Sequence, residues 1–311
     1  MKNKNLIIYA PNISGVGSKI WFFQKIKELN RLKSNITVYT NSNFKKRINS
    51  CNHIRLIDLG KFNFIYLVFA KFIIREDFNE IYSMGDYPLP FIANQTIYLN
   101  QANLIDPSKY KYSSRKLVFK LKRFYFKVFS QNIKTLIVQS IFMKKYISKS
   151  FKNLSNRLII DNNLYLKTQN KHNKKLNKKF IKILYPASIY PHKNHILIIN
   201  FLKKYLRTNY HFYFTCGKYE FNKYEHNKNI HRISYYNHGQ VYKIFNKFDC
   251  IIFPSLIESL GLPLIESKIF NIPIIASNLP FAREILGYQG IYFSPNSERS
   301  LYKSLNKVFN L

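Results

Sequence analysis

Short apolar runs alternate with longer amphipathic segments along this sequence, and this alternation limits the possible folds more than any other feature. In the first half, β-branched and aromatic residues predict strands at Leu6–Ala10, Ile36–Thr40, Ile54–Asp58, Glu80–Ser83, Thr96–Leu99 and Thr135–Gln139. In the second half, they predict strands at Lys182–Pro186, His211–Cys216, Ile230–Ile233, Cys250–Phe253 and Ile274–Ala276. Helical periodicity is clearest over Ser18–Leu32, Ser114–Phe129 and Glu298–Asn310. Strands that alternate with helices form parallel sheets covered by helices, so the sequence predicts an α/β fold.

The length of the chain and one polar segment predict a division into two domains. A chain of 311 residues is long for one domain and sufficient for two. Leu166–Lys179 is rich in Lys and Asn and has few apolar residues, which is typical of a solvated linker. We therefore expect doubly wound Rossmann-like domains at residues 1–165 and 180–311, joined by residues 166–179. In such sheets ligands bind at the carboxyl ends of the strands, so the chemistry is expected in the loops that follow them.

The net charge of the chain favours anionic partners. Its 50 Lys and Arg residues exceed its 15 Asp and Glu residues, which gives a formal net charge of +35. Nucleic acid, an acidic lipid surface and a phosphorylated substrate all fit such a charge. A codon bias toward Lys, Asn, Ile, Phe and Tyr would produce much of the same excess without any function. Helix-turn-helix, RRM and zinc-finger patterns are missing from the sequence, so no nucleic-acid partner is expected.

Cysteine usage and hydropathy indicate a cytoplasmic protein. Cys51, Cys216 and Cys250 are odd in number and show no CxxC spacing, which predicts neither a disulfide framework nor a zinc site. The most apolar stretch, Phe62–Ile74, contains polar residues and is shorter than a membrane-spanning helix requires. We expect a chain that stays in a reducing compartment, with peripheral membrane contact as an open alternative.

The segment DCIIFPSLIESLGLPLIE, residues 249–266, carries the pattern of an anion site at a helix start. An apolar strand leads into a loop with Glu258 and Gly261, and Pro263 suits the first turn of the helix that follows. Free amides at a helix start, with the positive end of the helix dipole, suit a diphosphate. Glu258 and Glu266 lie on either side of this loop, and carboxylates accept hydrogen bonds well from vicinal hydroxyls. The pattern predicts a nucleotide-sugar pocket.

This segment resembles a known family of enzymes. Glu258-x7-Glu266 looks like the E-x7-E element of retaining GT-B glycosyltransferases, especially the large group called family 4. Ile183–Asn194 resembles the strand and loop that open the donor domain, and Pro273–Glu284 resembles the segment after the E-x7-E helix in bacterial surface-polysaccharide transferases. Three blocks in the family's order form a specific signal, whereas E-x7-E alone would be weak.

The resemblance implies a GT-B fold, in which two Rossmann-like domains face each other across a cleft, and it implies roles for individual residues. Glu258 would lie beside the donor sugar, and Glu266 would hold the ribose hydroxyls. The amides of Gly261 and Leu262, together with Lys193, would bind the phosphates. The competing interpretation is that both glutamates are solvated surface residues and that Lys193 is one lysine among many.

One departure from the family pattern concerns the phosphate contacts. Many relatives have an Arg about five residues before the lysine, and Ser188 stands there in this chain. We keep Ser188 among the donor-binding candidates and expect Lys193 and the helix amides to neutralise more of the diphosphate charge. His192 and His195 flank Lys193, but no Cys or carboxylate cluster accompanies them, so no metal cofactor is expected.

The function implied is a retaining sugar transfer from a nucleotide-sugar donor to a glycan or lipid-linked acceptor in cell-surface polysaccharide biosynthesis, such as that of lipopolysaccharide, O-antigen or capsule. A noncatalytic GT-B scaffold that binds a nucleotide sugar without turnover is the first alternative, and a basic nucleic-acid-binding protein is the second, less favoured one. Ser188 and the short C-terminal helical pattern keep the first alternative open. The identities of the nucleotide, the sugar and the acceptor do not follow from the sequence.

The resemblance thins in the N-terminal half. Gly15 and Gly17 in PNISGVGS match a glycine-bearing loop that faces the donor in the family, and a tight turn with a Ser helix cap explains them equally well. Loops after two predicted strands resemble acceptor-side loops and supply four candidates, Asp86, Asn100, Gln101 and Asp106. For the two aspartates, the competing interpretation is an ordinary loop carboxylate. Gln139-Ser140 matches a cleft-facing position in the family, and a strand end with a helix cap accounts for it as well.

A basic amphipathic pattern precedes the last predicted strand of the first half. On a helix, an apolar stripe lies beside a basic stripe; the apolar stripe is Leu117, Leu121, Phe124 and Val128, and the basic stripe is Lys116, Lys120, Arg123 and Lys127. Such a helix can lie on an anionic bilayer, which would bring the enzyme to a lipid-linked acceptor. Alternatively, the apolar stripe packs on the core and the bases are solvated.

Overall fold

In a computed structural model of the chain, two compact units are found, one over Met1–Pro107 with Ser114–Asn162 and the other over Asn163–Leu311 with Ser108–Ser113. The structure describes residues 4–13, 16–31, 34–41, 44, 53–60, 65–104, 116–161, 180–206, 208–234 and 244–309. The predicted linker, Leu166–Lys179, lies outside these residues, as does Cys51.

The first unit is built on a seven-stranded parallel sheet of order β3-β2-β1-β4-β5-β6-β7. Its strands are β1 (Asn5–Ala10), β2 (Asn35–Thr40), β3 (Ile54–Asp58), β4 (Glu80–Ser83), β5 (Gln95–Tyr98), β6 (Ile133–Val138) and β7 (Leu158–Ile160). Its helices are α1 (Val16–Asn30), α2 (Ile65–Val68), α3 (Ala70–Ile73), α4 (Lys116–Phe129) and α5 (Ile141–Ser150), with 3-10 turns at Ala102–Leu104, Ser130–Asn132 and Lys152–Arg157.

The second unit is built on a six-stranded parallel sheet of order β10-β9-β8-β11-β12-β13. Its strands are β8 (Ile181–Tyr185), β9 (Tyr210–Thr215), β10 (Ile230–Ile233), β11 (Cys250–Phe253), β12 (Ile274–Ser277) and β13 (Ile291–Phe293). Its helices are α6 (His195–Lys204), α7 (Lys218–Phe221), α8 (Leu262–Phe270), α9 (Pro280–Leu286) and α10 (Glu298–Phe309), with 3-10 turns at Pro191–Lys193, Asn222–Tyr224 and Gly287–Gln289.

The central strands are buried on both faces, which explains why they are nearly continuous apolar runs. Every residue of Cys250–Phe253 is buried, and so are Leu6–Ala10. The predicted α/β class with two parallel-sheet domains is therefore confirmed. The short edge strands Leu158–Ile160 and Ile291–Phe293 were not predicted, because a three-residue run carries too little periodicity to separate a strand from a loop.

Each sheet has one point where the strand order reverses. In the first sheet this point lies between β1 and β4, and in the second it lies between β8 and β11. The connections on the two sides of such a point diverge, which leaves a crevice at the carboxyl ends of the two strands. The predicted donor residues follow β8 and β11, so the topology brings their loops to this crevice.

Candidate functional site

The loops after β8 and β11 are joined by hydrogen bonds at the carboxyl edge of the second sheet. The amide of Leu256 donates to the carbonyl of His192 over 2.8 Å. The phenol of Tyr185, at the end of β8, donates to the carbonyl of Lys193 and lies 3.4 Å from Ser255 Oγ. Tyr185 and Ser255 are fully buried, so these contacts hold the two loops in a fixed register. Sequence reasoning missed both residues, although each lies at or near a strand end.

Lys193 and Glu258 form an ion pair between these loops. Lys193 Nζ lies 2.5 Å from Glu258 Oε1, with the side chains 19% and 12% exposed, and 5.7 Å from the centre of the Phe253 ring. The two predicted catalytic residues are thus brought together from positions far apart in the sequence. Removal of either partner would leave a partly buried charge uncompensated. The interpretation of Glu258 as a solvated surface residue does not fit this burial.

The loop ends at Gly261, where helix α8 begins. Gly261 has φ 67° and ψ 55°, in the left-handed region that favours glycine, and an added Cβ would lie 3.0 Å from Leu264 Cδ1. The amide of Leu264 donates back to the carbonyl of Gly261 over 2.8 Å. Among the described residues, none accepts a hydrogen bond from the amides of Gly261 or Leu262. The helix start therefore offers two donors, together with the positive end of its dipole.

Glu266 lies on the inner side of α8 and is 5% exposed. Burial raises the pKa of its carboxyl group to about 7. The interpretation of Glu266 as a solvated helix residue is therefore wrong. Near neutral pH this group exchanges readily between a form that only accepts hydrogen bonds and a form that also donates one.

The other residues singled out near Lys193 are Ser188, His192 and His195. Ser188 lies in the loop after β8, and its carbonyl accepts a hydrogen bond from the amide of Tyr190 over 3.1 Å. His195 is buried beside the rings of Tyr185 and Phe214. Burial, with a further contribution from Lys193, lowers the pKa of His192 to about 4. In the part of the chain that the structure describes, no group of three or more His, Cys, Asp or Glu side chains could hold a metal ion.

The structure describes some of the candidate site residues that the sequence predicts in the first unit. Gly15 and Asp106 lie outside the described residues. Gly17 lies in the first turn of α1, because the helix begins at Val16 and not at Ser18 as predicted. The structure therefore places Gly17 within the helix and not in a loop.

Asp86 is a buried residue with φ 69° that points its carboxylate at the next loop. Its Oδ1 accepts hydrogen bonds from the amides of Asn100 and, over 3.2 Å, Gln101. Burial raises the pKa of this carboxyl group to about 6, and the two amide hydrogen bonds oppose the rise. Asp86 thus fixes the loop after β5, which carries the other two acceptor-side candidates.

Helix α4 presents its apolar stripe to solvent. The side chains of Leu117, Leu121, Phe124 and Val128 are between 44% and 67% exposed. The interpretation that this stripe packs on the core is therefore wrong. Phe126 lies on the opposite side of α4 and is buried.

The basic stripe of α4 is also partly different from the prediction. Lys120 and Lys127 are exposed, but the guanidinium of Arg123 donates to the carbonyl of Leu104 over 2.9 Å and lies 5.1 Å from the centre of the Phe151 ring. Arg123 is therefore engaged within its own unit. The side chain of Lys116 lies outside what the structure describes. Among the described residues, no helix has both the length and the apolar character needed to cross a bilayer.

Comparison with known proteins finds similar sequences. Residues 167–311 match the family model described as Glycosyl transferases group 1. The O-antigen chain mannosyltransferase RfbU of Salmonella typhimurium is 23% identical over 275 residues, which cover 85% of this chain and 74% of that protein.

Solved structures share the fold over nearly the whole chain. Sucrose-phosphate synthase from Thermosynechococcus elongatus has a TM-score of 0.71 at 14% identity, covering 99% of this chain and 90% of that one. WaaG, a glycosyltransferase involved in lipopolysaccharide biosynthesis, has a TM-score of 0.68 at 14% identity, with coverage of 99% and 90%. Anabaena HepE in complex with UDP-glucose has a TM-score of 0.68 at 11% identity, with the same coverage of 99% and 90%. The chain is therefore a glycosyltransferase with the GT-B fold, whose residues 167–311 match the family model of the glycosyl transferases group 1.

Proposed function

We propose that the chain is a family 4 enzyme that transfers a sugar from a nucleotide-sugar donor, with retention of configuration, to a glycan or lipid-linked acceptor in cell-surface polysaccharide biosynthesis. The observation that carries this proposal is the meeting of Lys193, Glu258 and the open helix start at Gly261 beside the β8/β11 crevice. The names of RfbU and WaaG, which refer to O-antigen and lipopolysaccharide, support a polysaccharide product.

The second unit supplies groups for each part of a nucleotide-sugar donor. The amides of Gly261 and Leu262 and the ammonium of Lys193 would bind the diphosphate, because all three are hydrogen-bond donors near positive charge. The ion pair between Lys193 and Glu258 would then weaken, and Glu258 would accept hydrogen bonds from the donor sugar. Glu266 would hold the ribose hydroxyls from the inner side of α8. The HepE complex shows that a protein of this fold binds UDP-glucose.

In the proposed reaction, the bond between the anomeric carbon and the diphosphate oxygen breaks. A new bond forms between that carbon and an acceptor hydroxyl oxygen on the same face of the sugar. The acceptor proton passes to the leaving diphosphate, so no side-chain base is required. The catalytic contribution of the protein is to place the reactants and to stabilise negative charge on the diphosphate through Lys193 and the start of α8. We expect this charge stabilisation to operate without a metal ion, so that transfer persists in excess EDTA.

The test compares donor hydrolysis and sugar transfer by the wild type with those of Lys193→Ala and Glu266→Ala. We expect Lys193→Ala to lose about 100-fold or more, the magnitude seen when one stabilising donor is removed from an active site. We expect Glu266→Ala to lower activity by raising the donor KM, because it removes a ribose contact. Lys203→Ala, which removes an exposed lysine from α6 in the same unit, is the matched control and should keep full activity. Undiminished activity in both site variants would refute the assigned roles. Donor binding by the wild type without any product would favour the noncatalytic scaffold instead.

We also propose that the first unit docks on an anionic bilayer through an exposed apolar surface. Besides the apolar stripe of α4, Phe69 and Phe72 are exposed next to each other at the α2–α3 segment, with ring centroids 6.1 Å apart. The β3-to-β4 and β5-to-β6 connections cross the sheet in the same direction. Right-handed crossovers therefore place α2, α3 and α4 on the same face of the sheet. Aromatic and aliphatic groups beside Lys120 and Lys127 suit the boundary between lipid headgroups and acyl chains.

Vesicle binding tests this docking surface. We expect Phe72→Ser with Phe124→Ser to abolish sedimentation with phosphatidylglycerol-containing vesicles, and Lys120→Glu with Lys127→Glu to weaken it most at low salt. Arg123 is kept unchanged because it supports the fold. Lys203→Glu with Lys204→Glu on α6 is the charge-matched control, and both lysines are exposed. Unchanged sedimentation of both surface variants would contradict the proposal.

A further inference from the structure

A pair of side-chain amides at the carboxyl ends of β5 and β6 is only partly satisfied. Gln139, which follows β6, is 1% exposed, and its Nε2 donates to Asn100 Oδ1 over 3.1 Å. Gln139 Oε1 and Asn100 Nδ2 are buried as well, and neither has a hydrogen-bond partner among the described residues. Buried polar atoms are usually paired, because an unpaired one loses the free energy of its hydration.

The unsatisfied groups form a defined chemical pattern. If both amides were rotated, Asn100 would become the donor and Gln139 the acceptor of their shared hydrogen bond. In either orientation, one amide NH2 group and one carbonyl oxygen remain without a partner. A hydroxyl group donates and accepts at the same time, whereas a carboxylate only accepts and an ammonium only donates. The pair is therefore complementary to a neutral hydroxyl.

The backbone around this pair is held firmly by hydrogen bonds between loops at the carboxyl edge of the first sheet. Asp86 Oδ1 fixes the amides of Asn100 and Gln101, and Asn12 Nδ2, after β1, donates to the carbonyl of Gly85 over 2.7 Å. A Cβ on Gly85 would lie 2.3 Å from Asn12 Oδ1, so a larger residue at this position would displace the Asn12 side chain. Hydrogen bonds thus connect the ends of β1, β4, β5 and β6, and the amide pair lies at the edge where doubly wound sheets bind ligands.

A second buried glutamine in the same sheet provides a contrast. Gln95 is fully buried, and its Oε1 accepts from the amide of Leu89 over 2.7 Å. Its Nε2 donates to the carbonyls of Leu89 and Ile92 over 2.9 and 2.8 Å. Gln95 therefore satisfies its amide within the fold. Ser140 is also accounted for, because it caps α5 by accepting from the amide of Met143 over 3.2 Å.

We infer that Gln139 and Asn100 bind and position a hydroxyl group of the sugar acceptor. This inference rests on the proposed function and gives it a specificity determinant: the acceptor presents a neutral hydroxyl to a paired donor and acceptor. The amides do not remove the proton, because neither group is basic. They orient the hydroxyl oxygen and shield it from competing water.

The test compares Gln139→Met with Gln95→Met, using octyl glucoside and octyl mannoside as soluble acceptors. For Gln139→Met we expect the acceptor KM to rise about tenfold, with a smaller loss of Tm than Gln95→Met shows, because Gln139 makes one side-chain hydrogen bond to the fold and Gln95 makes three. For Gln95→Met we expect a lower Tm, since a satisfied amide is lost. Asn100→Ala should raise the acceptor KM in the same direction as Gln139→Met.

A measurement of donor binding distinguishes a failure of the proposed function from a failure of the inference about Gln139 and Asn100. The thermal shift caused by a nucleotide sugar reports on the second unit, and we expect Gln139→Met to retain it. If the wild type shows no such shift with any nucleotide sugar, the proposed function fails. If the shift is present but the acceptor KM of Gln139→Met is unchanged, or its Tm falls as far as that of Gln95→Met, the amide inference is overturned. Donor hydrolysis by the wild type without transfer to either glycoside would also count against it.

Discussion

Glu266 couples the stability of the second unit to pH, because burial raises the pKa of its carboxyl group in the folded state. Burial raises its pKa from 4.5 to about 7, so the unfolded chain releases this proton at a lower pH than the folded chain does. The folded state is thus favoured below this range, and it loses roughly 3 kcal/mol as the pH rises through it. We predict that the unfolding free energy of the wild type falls relative to that of Glu266→Gln across this window and runs parallel to it at higher pH.

Denaturant unfolding of both proteins below, within and above the window measures the difference. Glu225→Gln, at an exposed position of the same unit, should show a constant difference from the wild type. A constant difference for Glu266→Gln as well would show that folding does not raise the pKa of Glu266.

At the scale of elements, the start of α8 depends on the left-handed conformation of Gly261. We predict that Gly261→Ala destabilises the protein by about 1–2 kcal/mol, the usual cost of a left-handed residue with a Cβ, and that it also weakens donor binding. The added methyl group would lie 3.0 Å from Leu264 Cδ1 and would shift the amides of Leu262 and of the substituted residue.

Gly60 provides a matched control, because it has φ 68° and no atom within 4 Å of an added Cβ. Gly60→Ala should lower stability by a similar amount and leave donor binding intact. Equal donor affinity in the two variants, measured by calorimetry, would exclude the helix start from the donor site.

At the scale of the whole molecule, a donor that binds the folded second unit should stabilise it by mass action. We predict that one nucleotide class among UDP-, GDP-, dTDP- and ADP-sugars raises the melting temperature, and that Lys193→Ala and Glu266→Ala reduce this rise. A ligand at about 100 times its Kd contributes about 2.7 kcal/mol, which a thermal-shift assay detects readily. The absence of a shift with every nucleotide sugar, in a preparation whose melting is cooperative, would contradict the donor site.

The α/β class and the order of the elements follow from the sequence, because buried parallel strands must be continuous apolar runs and the helices between them must be amphipathic. The strands Ile54–Asp58, Glu80–Ser83, Ile230–Ile233 and Cys250–Phe253 have the predicted bounds, whereas the three-residue edge strands were too short to detect. The loop with Glu258 and Gly261 also follows from the sequence, since Gly and Pro at this spacing specify a turn and a helix start locally.

Only the tertiary structure decided which partners the side chains meet. Lys193 pairs with Glu258 because β8 and β11 are neighbours in the sheet, and Gln139 contacts Asn100 because β5 and β6 are neighbours. Helical periodicity identified the apolar stripe of α4, but it could not determine whether that stripe meets the core or solvent, and it could not show that Arg123 turns back to Leu104. A sequence pattern specifies local geometry and the polarity of each face. The environment of that face depends on contacts between residues distant along the chain, and these exist only once the sheets have formed.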